Sequence, residues 1–167
     1  MNLKIILFAI LTLVLSDSAL RAADQGHDAP DEEHSHEHTA PHGGTLVVLG
    51  EEFAHLELVL DPGAGSLTGY ILDGEAEKAV RIGQEDIEIK IKETLPPGGE
   101  SDKSGYALIL KPVSNILTGE TDGDTSEFAA QSDKLEGVQK FDAVISVINI
   151  KGQTFRNIGF RFPEGNE

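Results

Sequence analysis

The sequence predicts an all-β fold, an antiparallel β-sandwich of the immunoglobulin-like kind with seven or eight short strands. Short runs rich in β-branched, aromatic and alternating apolar residues recur along the chain. Turn-forming Gly, Pro, Asn and Asp separate these runs at a spacing of about ten residues, which is typical of sandwiches. Only one short segment has a composition that suits a helix. An open barrel is the alternative arrangement of the same strands.

The apolar runs define the predicted strands. The second run alternates, with His55 and Glu57 on one face and Leu56 and Leu58 on the other. A turn at residues 61–63 follows it, because Pro presets φ and Gly permits a positive φ. The predicted strands cover residues 44–50, 53–60, 66–73, 79–82, 86–92, 105–111, 141–150 and 153–162, and a short helix is predicted within residues 126–135.

Residues 1–22 have the pattern of a cleavable export signal. Lys4 precedes an apolar run over residues 5–15, and the small residues Ala22 and Ala23 stand at a suitable cleavage point. A helix that spans a bilayer needs about 20 apolar residues, so the run favours a removed signal over a retained membrane anchor. We therefore expect a periplasmic or secreted protein.

The rest of the chain is predicted to hold one domain and two tails. Residues 23–42 are acidic and rich in histidine, with no Val, Ile, Leu, Phe, Tyr or Trp. Such a segment cannot bury apolar area, which predicts a disordered tail. Residues 43–163 are predicted to form the β-sandwich, and residues 164–167 a short C-terminal tail.

Composition restricts the partners and the chemistry. The chain has a formal net charge of −16, and removal of Lys4, Arg21 and Asp17 with the signal takes away two positive charges and one negative charge, giving −17. This charge argues against nucleic acid or an anionic membrane as a partner and favours cations. The chain contains no cysteine. Any metal site must therefore use His, Asp or Glu, which disfavours soft Cu(I) sites.

The acidic tail holds the first candidate metal ligands. His34, His36 and His38 stand two residues apart, next to several carboxylates. Imidazole and carboxylate together suit Zn(II), Cu(II) or Ni(II). A tail without preformed geometry predicts weak binding that is lost as the pH falls through about 6.5, where free imidazole protonates. The alternative is a solvated linker whose histidines bind nothing.

A second candidate site combines His42, His55 and Glu57. His55 and Glu57 share one face of the predicted second strand, at a spacing of about 6.5 Å. His42 precedes the first strand, and the first hairpin would bring it near His55. Three such ligands would resemble a zinc site with one open position. The alternative is a surface His–Glu pair without metal.

Other site signatures are absent from the sequence. The acidic loop at residues 122–127 lacks the Gly and Glu positions of a helix–loop–helix calcium motif. The chain contains no nucleophile elbow, phosphate-binding glycine loop or zinc-protease helix motif. The sequence therefore predicts a protein that is not an enzyme, with no catalytic residues.

Several short motifs carry a family resemblance. They are residues 41–46 (PHGGTL), 55–58 (HLEL), 70–73 (YILD), 79–82 (AVRI), 126–135 and 152–156 (GQTFR). With these, the chain resembles the N-terminal β domain of periplasmic adaptor proteins of heavy-metal efflux pumps of the resistance-nodulation-division class, and related stand-alone exported bacterial proteins. The resemblance implies a periplasmic β domain in a metal-resistance setting, and maps His42, His55 and Glu57 onto the family's motif. Unlike the adaptors, this chain lacks helical-hairpin and lipoyl-like segments.

These observations predict an exported protein that captures or presents a divalent transition metal (Zn, Cu or Ni). Its expected partners are the metal ion and an envelope efflux component. The alternative is an envelope interaction domain that docks through an edge strand, with the histidine-rich tail as a spacer.

Overall fold

The structure of the chain, a computed structural model, describes residues 38–95 and 98–166. The predicted signal and most of the predicted tail lie outside these residues. The all-β, antiparallel fold class is confirmed, because eight strands within these described residues form a single, nearly closed sheet. The strands are β1 (Thr45–Leu49), β2 (Ala54–Asp61), β3 (Ser66–Asp73), β4 (Ile87–Leu95), β5 (Tyr106–Pro112), β6 (Glu127–Gln131), β7 (Lys140–Ile150) and β8 (Gln153–Phe162).

The strand order β1-β2-β3-β6-β5-β4-β7-β8 divides the sheet into two halves of four strands. The halves are joined by a short pairing between β5 and β6. Apolar side chains from both halves form one core, so the halves face each other as the two layers of a sandwich do. Its members include Val47, Leu56 and Ile71 from the first half and Ile89 and Ile145 from the second.

The two end strands of the sheet lie close to each other, and the C-terminal residues fill the space along β1. The side chain of Asn166 donates to the Val48 carbonyl (3.0 Å) and accepts from the Val48 N–H (2.8 Å). The Thr45 hydroxyl donates to the Pro163 carbonyl (3.1 Å). The predicted C-terminal tail is thus packed on the sheet up to Asn166 and satisfies backbone groups that an edge strand would otherwise expose.

Two local predictions were wrong. The segment predicted as a short helix forms β6, followed by a 3₁₀ turn at Asp133–Leu135, because pairing with β3 supplies its backbone hydrogen bonds and buries Phe128. The strand predicted at residues 79–82 is not formed either. This segment makes only two isolated bridges, Leu72 with Ala79 and Ile82 with Thr125, as it crosses between strands. In the described part of the chain, no helix is long and apolar enough to cross a membrane.

Residues 38–44, which we call the entry segment, pack on the outer side of β2 and β3. The ring of His38 contacts His55 on β2, and the ring of His42 stacks on Tyr70 on β3. The entry segment therefore covers a face of β2 that would otherwise meet solvent. This explains why the first five residues of β2 are buried on both faces.

A long loop, residues 113–125, links β5 to β6 and is held by Glu120. The Glu120 carboxylate accepts hydrogen bonds from the N–H (2.9 Å) and hydroxyl (2.6 Å) of Ser126 and from the Thr118 hydroxyl (2.5 Å). The Arg81 guanidinium lies 3.9 Å from it. The hydrogen bonds from Ser126 and Thr118, aided by Arg81, lower the pKa of Glu120 despite its partial burial.

We predict that Glu120→Gln reduces the stability of the protein at neutral pH. In the variant, stability should also fall less steeply as the pH is lowered into the acid range. Because the folded pKa is lowered, ionised Glu120 adds stability above its unfolded pKa of about 4.3, and this stability is lost as the pH falls through the folded value. Urea unfolding at a series of pH values measures the effect. Equal pH slopes for the variant and the unsubstituted chain would contradict the assignment.

Candidate metal site

The carboxylate of Glu57 fixes the path of the entry segment. Glu57 is fully buried on β2. One of its oxygens, Oε1, accepts the backbone N–H groups of His42 (2.8 Å) and Gly44 (2.9 Å), and Oε2 pairs with Nδ1 of His42 (2.7 Å). A buried carboxylate is costly unless its oxygens are hydrogen-bonded, and here both oxygens are. Glu57 thus acts as an anchor for residues 42–44.

The two glycines that follow His42 make this geometry accessible. Gly43 has a φ of +71°, in the left-handed region that favours glycine. At Gly44, a Cβ atom would stand 2.5 Å from the Leu58 carbonyl oxygen, so only glycine lets the chain approach β2 this closely. The His-Gly-Gly motif and the His-x-Glu motif are therefore two halves of one structural contact.

The ring of His42 is held on two sides. Nδ1 of His42 lies 2.7 Å from Oε2 of Glu57, within hydrogen-bonding distance. The ring also stacks on Tyr70 with 3.8 Å between centroids and 13° between planes. Burial, together with the charges of Glu127 and Glu57, raises the pKa of Tyr70 and keeps this stacking partner neutral. The Nδ1 atom of His42 thereby helps to position the entry segment.

His55 presents an unused ring nitrogen inside the protein. Its side chain is fully buried, and Nδ1 lies 3.1 Å from the Asp73 carbonyl oxygen. A carbonyl only accepts, so Nδ1 donates, and in the neutral ring Nε2 holds a lone pair. This Nε2 is buried and has no hydrogen-bond partner among the described residues. A buried polar atom without a hydrogen-bond partner lowers the free energy of unfolding by about 1–3 kcal/mol.

His38 brings a second imidazole to the same place. Its ring centroid is 4.8 Å from that of His55, with 60° between the planes. Its Nε2 is also buried, and lies 3.7 Å from Oε1 of Glu52. Glu52, in the turn between β1 and β2, has a φ of +54°, which is uncommon for a residue with a side chain. A buried imidazole pair therefore stands beside a carboxylate.

The structure separates the predicted site residues into two groups. His42 and Glu57 meet and form the anchor, whereas the described contacts of His55 are with His38 and Asp73. His34 and His36 lie outside the described residues. Over residues 38–95 and 98–166, no group of three or more His, Asp or Glu side chains already has the geometry to hold a metal ion.

Three groups that contact these histidines were not among the site residues predicted from the sequence. They are the Tyr70 ring, the Asp73 carbonyl and the Glu52 carboxylate. The first two follow from strand register. The turn after Asp61 pairs Asp61 with Ser66, which places Tyr70 opposite Glu57 and Leu72 opposite His55. The sequence does not predict where Glu52 lies, because its position depends on a turn conformation with a positive φ.

Comparison of the chain with protein-family models, with curated proteins and with solved structures finds no match in any of the three.

We predict that Glu57→Gln releases the entry segment and lowers the free energy of unfolding by about 1–3 kcal/mol. The glutamine side chain carries no charge, and its NH₂ group would face N–H donors from which it cannot accept a hydrogen bond. Urea unfolding measures the stability, and hydrogen exchange at the Gly44 amide reports the release. Glu75→Gln, at an exposed position, is the matched control. Unchanged protection at Gly44 in Glu57→Gln would contradict the anchoring role.

Proposed function

We propose that this chain is an exported metal-binding protein that captures or presents a divalent transition metal, Zn(II), Cu(II) or Ni(II), in the periplasm or outside the cell. One observation carries the proposal. His38, the last histidine of the row His34, His36 and His38, packs against the buried His55, whose Nε2 lacks a hydrogen-bond partner among the described residues. Neutral imidazole nitrogens are common ligands of these metals.

The charge of the chain supports the same function. A formal net charge of −16 attracts cations from solution. His34 and His36 extend the row of ligands that His38 ends, so the segment can collect metal that the buried pair then holds. The family resemblance adds a setting of metal resistance or efflux, with an envelope efflux component as the partner that receives the metal.

The proposal predicts stoichiometric binding of Zn(II), Cu(II) or Ni(II) to the chain without residues 1–22, measured by native mass spectrometry. A variant with His34, His36 and His38 changed to Ala should lose most of this binding, because both the segment and the buried pair are impaired. Unaltered binding by that variant would contradict the role of these histidines. Absence of binding by the unsubstituted chain would contradict the function itself.

The second candidate function is an envelope interaction domain without metal, and one observation favours it. Ile116 and Leu117 are 96% and 94% exposed at the tip of the loop 113–125. Hydrogen bonds in both directions between the backbones of Asn115 and Glu120 close this turn. A closed turn that presents two large apolar side chains suits insertion into an apolar pocket of a partner protein. Docking through an edge strand has less support, because Asn166 pairs with the backbone of Val48 on β1.

For this second function we predict that Ile116→Ser combined with Leu117→Ser abolishes complex formation while leaving the unfolding midpoint within about 2 °C of the unsubstituted chain, since exposed side chains add little stability. Photo-cross-linking from position 117 of the otherwise unsubstituted chain in envelope extracts, with and without chelator, identifies the complex, and co-purification of that partner measures its loss in the double variant. Cross-linking from position 95, where Leu95 is 41% exposed, is the control. The same adducts from both positions would contradict docking through the loop.

A further inference from the structure

We infer that His38, His55 and Glu52 form a single metal site with two imidazole ligands and one carboxylate ligand, for a divalent transition metal such as Zn(II). This inference rests on the proposed function and specifies its ligands. It replaces the set His42, His55 and Glu57 with one that uses a residue from the β1–β2 turn. Imidazole ligands favour Zn(II), Cu(II), Ni(II) and Co(II) over Ca(II) and Mg(II), which take oxygen ligands.

The hydrogen bond of His55 prepares this residue as a ligand. Metal-bound histidines usually donate the other ring N–H to a carbonyl or carboxylate, which fixes the tautomer and the ring orientation. His55 has that arrangement, with Nδ1 on the Asp73 carbonyl at 3.1 Å. A metal ion would bind next to Nε2 of His55, where the described residues supply no hydrogen-bond partner.

Two distances within the cluster lie near those of a shared ion, although the three side chains would have to move to bind one. Two imidazoles bound tetrahedrally to one zinc through Nε2 have ring centroids roughly 5 Å apart, given Zn–N bonds of about 2.0–2.1 Å. The centroids of His38 and His55 are 4.8 Å apart. A carboxylate oxygen and an imidazole nitrogen on the same ion stand roughly 3.3 Å apart. Oε1 of Glu52 is 3.7 Å from Nε2 of His38, so the Glu52 side chain would have to move closer for both atoms to bind one ion.

Glu52 also gives the site an opening to solvent. Its side chain is 40% exposed, whereas both histidine Nε2 atoms are buried. Glu52 has a φ of +54° in the turn between β1 and β2, and its carboxylate stands beside His38. The carboxylate therefore stands on the solvent side of the imidazole pair, where an ion would enter.

This ligand set implies an exchangeable metal. Structural zinc sites have four protein ligands, whereas three protein ligands leave a position for water or an incoming group. The ion would also connect the entry segment, through His38, to β2, through His55. Metal binding is then expected to stabilise the packing of residues 39–41 on the sheet, and metal release to loosen it.

The experiment uses the chain without residues 1–22, labelled with ¹⁵N and titrated with Zn(II). Long-range ¹H–¹⁵N spectra should show the Nε2 resonance of His55 shifting with one equivalent of zinc, while Nδ1 keeps its proton. The variants His55→Gln and His38→Ala should each weaken zinc binding at least about 10-fold. Loss of a residue that only hydrogen-bonds to a metal ligand already weakens binding by about this factor, and loss of a ligand itself should cost at least as much. Glu52→Gln should weaken binding by about the same factor, whereas Glu51→Gln, its exposed neighbour, should change it less than about twofold.

The variant with His34→Ala and His36→Ala separates this site from binding by the rest of the segment. It should retain the His55 shift and one bound zinc. Zinc binding that leaves the His55 resonances in place, with equal affinities for the Glu52 and Glu51 variants, would overturn the site while the proposed function stands. Absence of zinc binding by the unsubstituted chain would contradict both proposals.

Discussion

The buried carboxylate of Glu57 is the constraint on which the outer face of the sheet depends. It lies in the protein without solvent, and the N–H groups of His42 and Gly44 together with the His42 ring supply its hydrogen bonds. Those bonds require the chain to pass close over β2, which in turn requires glycine at position 44. Once residues 42–44 are fixed, the preceding residues follow the same face, and His38 arrives over His55.

The sequence was sufficient for much of this architecture. The alternating pattern and the Asp-Pro-Gly turn predicted β2 and β3, and the bounds of β3 and β8 are those expected. The regions that failed are those where pairing with a distant strand decides the conformation. The segment at 127–131 has few apolar residues to indicate a strand, and its partner β3 is far away in the sequence.

The candidate site was only half predictable for a related reason. Residue type and spacing identified His38, His42, His55 and Glu57 as potential ligands, and alternation placed His55 and Glu57 on one face of β2. The partners of each residue depend on how the entry segment crosses that face. Glu57 is occupied by two backbone N–H groups and the His42 ring, whereas His55 meets His38. Polar residues in an acidic, histidine-rich stretch carry no periodicity that would predict such a crossing.

X-ray absorption spectroscopy of the zinc-loaded chain, at one equivalent of zinc, tests the central claim most directly. The account predicts a four-coordinate ion with two imidazole ligands at about 2.0–2.1 Å, and oxygen ligands from a carboxylate and water completing the set. A spectrum with no imidazole contribution, or with three or more imidazoles, would contradict the account. The first result would place the zinc on oxygen ligands, and the second would add at least one histidine other than His38 and His55.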